Sequence, residues 1–262
     1  MAKVPLSLNK SVEENASLYF EQAKKARKKL EGAKRALDIS RMKLEAEQRA
    51  SQEKERNAEE KRKIAPSRKK EWYEKFRWFK SSDGFLVIGG RDAATNEIVI
   101  KKHTDKNDLV FHTEMAGSPF VVAKLEGKEI SETMRTEAAT FTAVHSRAWK
   151  LQMGRAEVFY VRPEQVTKQA KAGEYLDKGA FIIKGETTHL FPGFSFAIGI
   201  FEGKAMGGPL SAVKKHCAEY LEIEPGEEKP SDVAKAVKRK IGGDLDEIIR
   251  ALPSGCRVKK VR

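Results

Sequence analysis

In 262 residues, Lys and Arg outnumber Asp and Glu by 51 to 38, and the net charge of +13 favours a polyanionic partner, nucleic acid first. Two cysteines, Cys217 and Cys256, with no Cys-x-x-Cys pair argue against a disulfide scaffold or structural zinc and fit a reducing cytosol. No run approaches ~18 apolar residues and no apolar leader opens the chain, so neither a membrane span nor a signal peptide is expected.

The charge is uneven. Residues 1–80 hold 23 Lys and Arg against 13 Asp and Glu, a net of +10, which leaves +3 for the remainder. From Val12 the positions Ala16, Tyr19, Ala23, Ala26, Leu30, Ala33, Leu37, Ser40 and Leu44 step by four and three, a coiled-coil seam flanked by Lys, Arg and Glu. Ser11 with Glu13 and Glu14 is a suitable helix start. The heptad fades after Leu44 and Pro66 interrupts helical geometry, so the economical expectation is an antiparallel helical hairpin with arms near 11–47 and 52–79. The alternative is one long helix that pairs with another chain.

Residues 71–93 pack two of the three tryptophans and three of the thirteen phenylalanines among basic residues. Cations that neutralise phosphate and rings that stack on bases suit a nucleic-acid surface. The plainer reading is a helix carrying Trp72, Phe76 and Phe79 at 4-3 spacing, packed on a sheet. Strands are expected at 85–88, 97–100, 109–112 and 119–123, then a helix over 131–150 capped by Ser131. Further strands are expected at 156–161, 181–183, 189–191 and 194–200. A tight turn at Gly207-Gly208-Pro209 precedes a basic helix or strand to His216. A linker at 225–230, helices over 231–241 and 244–251 and a basic tail over 257–262 complete the chain. The pattern reads as α+β: a helical hairpin, then a mixed, largely antiparallel sheet domain with one long helix. The expected division is 8–80 (basic coiled-coil hairpin), 81–204 (sheet domain) and 205–262 (C-terminal basic extension).

No catalytic constellation emerges. Gly89-Gly90-Arg91-Asp92 lacks the Gly-Lys-Ser/Thr of a phosphate-binding loop, and the five histidines form no metal-binding pair. Neither enzymatic activity nor a metal or other cofactor is expected. His112 reads as a structural or RNA-contacting side chain at a strand end.

These blocks resemble a known family. The run Glu71-Trp72-Tyr73-Glu74-Lys75-Phe76-Arg77-Trp78-Phe79, with Ser82-Asp83-Gly84-Phe85 through Arg91-Asp92-Ala93, is similar to the opening of the NFACT-R domain, the RNA-binding domain of ribosome-quality-control factors that recognise obstructed large subunits. Further matching blocks are Asp108 with Phe111-His112 and Gly117-Ser118, then Ser146-Arg147-Ala148-Trp149, and Gln165-Val166-Thr167-Lys168 with Gly173-Glu174-Tyr175. The likeness covers about residues 8–200, with the NFACT-R motif beginning near 68. It implies a cytoplasmic, non-enzymatic RNA-binding protein whose partners are ribosomal RNA of the large subunit and tRNA. In the matched blocks Arg77, Arg91, Arg147, Lys150 and Lys168 are candidates for phosphate contacts, and Trp78 and Trp149 for base stacking. Lys24, Lys28 and Arg35 lead a basic band on the first helix. Trp72, Phe76 and Phe79 are expected to be structural, and Asp92 to hold Arg91 in place. The family's N-terminal NFACT-N domain, with an Asp-Arg pair linked to tailing of stalled chains, has no counterpart here, so tailing by this chain alone is not expected. The competing expectation is a scaffold that pairs through the Ala-rich seam with a separate NFACT-N-type helical partner or with a second copy.

Overall fold

The computed structural model describes residues 4–64, 70–115, 117–169 and 176–259, in two compact units, Met1–Lys69 and Lys70–Arg262. Pro66, the Gly173-Glu174-Tyr175 block and the end of the basic tail lie outside the described residues.

The first unit is built on α1 (Val12–Ile64). Ser11 and Glu14 form a reciprocal cap: the Glu14 amide donates to Ser11 Oγ (3.1 Å) and the Ser11 amide to Glu14 Oε2 (2.8 Å). Buried Asn15 ties the preceding segment to the first turn, accepting from the Ser7 amide (2.9 Å) and donating to the Ser7 carbonyl (3.1 Å). The expected hairpin is one unbroken helix, and the expected turn near 47–52 is helical. Residues 47–63 are polar, but apart from Ser51 and Asn57 they are Glu, Lys, Arg, Gln and Ala, good helix formers, with no Gly or Pro to stop them. Seam residues Leu30, Leu37 and Leu44 are 56–63% exposed.

In the second unit the expected aromatic helix is absent. Trp72–Lys75 make one 3-10 turn and Arg77–Lys80 form β1. Phe76 and Phe79 are buried, and Trp72 stacks on His103 with ring centroids 4.5 Å apart. Trp72 lies on the 3-10 turn, Phe76 just before β1 and Phe79 on it, so the 4-3 spacing does not mark a helix face. After β2 (Leu86–Gly89), the expected strand at 97–100 is instead part of α2 (Ala93–Lys102). The apolar run reads as a strand by composition. Asp92 overrides it by capping the helix: its carboxylate accepts from the Thr95 amide (2.8 Å), and Thr95 Oγ1 accepts from the Asp92 amide (2.9 Å). Asp92 therefore holds α2, beyond any hold on Arg91.

Then follow β3 (Leu109–Thr113), β4 (Val121–Lys124), α3 (Glu132–Val144), α4 (Arg147–Lys150) and β5 (Val158–Val161). The helix expected over 131–150 breaks at His145, and Ser146 starts α4 by accepting from the Ala148 amide (3.2 Å). A small hairpin, β6 (Val166–Thr167) with β7 (Ile182–Ile183), precedes β8 (Thr188–Leu190), β9 (Phe196–Phe201) and β10 (Lys204–Pro209). Gly207-Gly208-Pro209 is thus strand, not turn. The chain ends with α5 (Leu210–His216), β11 (Tyr220–Pro225), α6 (Pro230–Ile241), α7 (Leu245–Ala251) and β12 (Cys256–Val258). β11 and β12 come from segments that gave no strand signal.

One antiparallel sheet runs β1-β2-β4-β3-β5-β8 and a second runs β10-β9-β11-β12, which gives the α+β class expected. α3 packs against β3, β4 and β5 of the first sheet and β9 and β10 of the second. That double contact explains why it is buried all round from Glu137 to Val144, a stretch that beyond its one acid is built from Ala, Thr, Phe and Val. Gly208 admits Phe79 because a Cβ there would lie 2.8 Å from the Phe79 Cβ. Inside this junction sits one carboxyl, that of Glu137, 3% exposed. It accepts from the Ser82 amide (2.8 Å) and hydroxyl and from Ser211 Oγ (2.6 Å), so the β1–β2 turn, α3 and α5 share one acceptor.

Glu137→Leu strands those donors and is expected to lower unfolding free energy by about 3–5 kcal/mol in urea titrations. Glu137→Gln, which keeps one acceptor oxygen, loses clearly less.

Candidate nucleic-acid interface

A cleft of about 1000 Å³ opens where β1, the start of α2, the β3–β4 loop and α4 meet. Arg77, Arg91, Arg147, Lys150 and His112, chosen from separate stretches of sequence, all line it, joined by Lys178. Five Lys and Arg face three acids there (Asp92, Glu114 and Asp177). The convergence follows from the fold: Arg77 sits on the edge strand β1, Arg91 precedes the capped start of α2, and Ser146 redirects the chain so that α4 presents Arg147 and Lys150.

The cations differ in kind. Arg91, Arg147 and Lys150 are exposed, and among the described residues their side chains make no ion pair or hydrogen bond. Arg77 is partly sunk. Its Nη1 donates to the Gly90 carbonyl (2.7 Å), and its Nε is buried without a hydrogen-bond partner. Burial first, then the charge of Arg91, lowers its pKa to about 10. Next to it in the lining, His145 is partly exposed as a residue, yet both ring nitrogens are shut from solvent and unpaired. Burial and the charge of Arg77 hold His145 well below the usual imidazole range.

His112 stacks on Phe120 (centroids 4.1 Å, planes 28° apart), and its Nε2 lies 3.1 Å from Ser118 Oγ. Burial pushes its pKa down to about 4, so the ring is neutral at neutral pH. Asp108 does not pair with it. That buried acid instead accepts from Lys124 and the Leu125 amide (3.0 Å).

Other candidates sit elsewhere. Trp149 is core, 1% exposed, with Nε1 donating to the Gly255 carbonyl (2.9 Å), and Trp78 is 8% exposed against Tyr73. Neither ring offers a free face to a base. Lys168 is spent on Glu97, whose pKa falls to about 2 through that hydrogen bond and then the Gly179 amide (3.3 Å). This pairing docks the segment around Gly179 on α2, where a Cβ at Gly179 would lie 2.5 Å from the Ala93 Cα. Lys24, Lys28 and Arg35 form an exposed stripe on α1, in the other unit. Gly90, Asn96 and Gly179 lie in blocks that resemble the family, but the sequence assigns no packing or site role to them or to His145. Reading residues 97–100 as a strand hides the fit of Gly90, Asn96 and Gly179 to a helix. In the fold Asn96 Oδ1 accepts from the Phe120 amide (3.1 Å), and a Cβ on Gly90 would collide with it at 1.9 Å. Among the described residues no cluster of His, Cys, Asp and Glu suits a metal ion, and no helix is long and apolar enough to cross a membrane.

Residues 75–185 match the family described as NFACT protein RNA binding domain. The Archaeal Rqc2 homolog aRqcH of Methanocaldococcus jannaschii is 41% identical over 203 residues, 74% of this chain and 30% of that protein. The Ribosome quality control complex subunit NEMF of Homo sapiens is 33% identical over 198 residues, 72% of this chain and 18% of that protein. Ribosome quality control complex subunit 2 of Schizosaccharomyces pombe is 32% identical over 127 residues, 48% of this chain and 12% of that protein. The chain thus spans less than a third of the length of these curated relatives.

His112 carries a sign for acid stability. Its folded pKa of about 4 lies below the unfolded ~6.5, so the unfolded chain binds more protons between those values and stability falls as pH drops through that window. The expected loss between pH 7 and pH 4 is about 2–3 kcal/mol from His112, with His145 adding in the same direction. His112→Phe is expected to flatten the slope of unfolding free energy against pH. An unchanged slope would remove the assignment.

Proposed function

We propose that this chain, which carries an NFACT RNA-binding domain over residues 75–185, is a non-enzymatic RNA-binding protein of the cytoplasm that docks on the large ribosomal subunit or on tRNA during quality control of stalled translation. The observation that carries the reading is the cleft: exposed Arg91, Arg147 and Lys150 gather with Arg77 and Lys178 inside the matched domain. Unpaired guanidinium and ammonium groups on a concave wall suit phosphate, to which Arg can bond through two N–H groups at once. The names of the human and fission-yeast relatives, which place them in a ribosome quality control complex, support the setting. The exposed basic stripe Lys24, Lys28 and Arg35 on α1 adds a second electrostatic contact.

A second reading rests on α1. Leu30, Leu37 and Leu44 repeat at seven-residue spacing and are exposed, as a seam for another helix would be. Salt separates the two. RNA binding weakens by ~0.7–0.9 log units per neutralised phosphate for each log unit of salt, whereas an apolar seam responds little.

Co-sedimentation with ribosomes and isolated large subunits at low and high salt tests this. Wild type is expected to pellet with large subunits in a salt-sensitive way. The variant Arg91→Glu/Arg147→Glu/Lys150→Glu, altered only at exposed positions, is expected to lose at least about tenfold in affinity. Binding to tRNA alone would favour the tRNA arm, and salt-insensitive association with a protein partner would favour the seam.

A further inference from the structure

The cleft has two chemically different sides. The cations come from β1, the start of α2 and α4, whereas His112, Phe120, Phe159 and Phe181 come from β3, β4's lead-in, β5 and the segment before β7. Phe120 and Phe159 are buried, so the rings within reach of an incoming group are His112 and Phe181, both half-buried. Each is fixed in place. His112 lies flat on Phe120 and against Ser118, and Phe181 stands edge-on to Phe120 (centroids 5.1 Å, planes 75° apart) with Lys168 Nζ 5.2 Å over its ring. Lys168, paired with Glu97, thereby braces Phe181 from outside the cleft. Arg77 Nε and the two ring nitrogens of His145, buried and unpaired in the same lining, add polar groups that the fold itself does not satisfy.

Resting on the reading of the cleft as an RNA site, we propose that it holds an unpaired stretch of single-stranded RNA, with phosphates along Arg91, Arg147 and Lys150 and a base against His112 and Phe181. A volume of about 1000 Å³ is at the upper end for pockets that enclose a small ligand and has room for a splayed nucleotide. A duplex keeps its bases stacked inside and offers a protein mainly its backbone and shallow groove, so the recessed rings would have nothing to touch. A single strand presents both charge and a ring face, the combination that single-strand sites use.

The test uses the full chain and fluorescence anisotropy with a short unstructured oligoribonucleotide and the same strand in a blunt duplex. The single strand is expected to bind at least about tenfold more tightly. His112→Ala is expected to cut single-strand affinity about tenfold and leave duplex binding unchanged. A second readout needs no variant: 2-aminopurine within the strand is expected to lose fluorescence on binding as its base stacks. Equal affinity for both forms, or a bound strand with unquenched 2-aminopurine, overturns the inference and leaves RNA binding standing. Failure of both forms to bind overturns the RNA reading of the cleft as well.

Discussion

The second unit depends on α3 being buried from both sides. A helix squeezed between two sheets has little solvent face, so its polar groups must find partners inside the protein. Glu137 meets that demand by taking three donors from two other elements. The arrangement couples the β1–β2 turn, α3 and α5, and with them the registration of the two sheets. Because α3 is held so firmly, its end at Val144 is a fixed point, and the turn through His145 and Ser146 delivers Arg147 and Lys150 to the cleft.

Electrostatics in the cleft follow from how deeply each cation is set. Arg77 is desolvated and held by its hydrogen bond to the Gly90 carbonyl, so it acts as a preset donor on the wall. Arg91, Arg147 and Lys150 remain hydrated and unpaired, and their charges are free to exchange small counterions for phosphate. Lys168 has the same charge and a different job. Its hydrogen bond to Glu97 secures the segment around Gly179, which completes the wall that carries Phe181. The neutral rings of His112 and His145 keep further positive charge out of a site already crowded with it.

The first unit is different in kind. Its helix carries charge and an apolar seam, and among the described residues the preceding segment is tied to it by Asn15 and by the Tyr19 hydroxyl, which donates to the Pro5 carbonyl. Such a helix draws its stability from intrinsic propensity and from whatever covers the seam.

Much was legible in the sequence because it depends on local pattern. The seven-residue spacing from Val12, the short apolar runs at 85–88 and 119–123, and the Ser131 cap each report a structure formed within a few residues. The basic residues of the matched blocks were also legible as candidates. What the sequence left open was decided by distant contacts. The run 97–100 has strand composition, yet Asp92 and Thr95 start a helix there and the Gly90–Asn96 fit seats it. Trp149 has the look of an exposed ring in a basic block and is core because Gly255, 106 positions away, takes its N–H. The cleft itself exists only once β1, α2, α3 and α4 are packed. Side-chain type is a property of the chain, but which cations share a wall, and which are already spent, is set by the approach of segments that no local pattern relates.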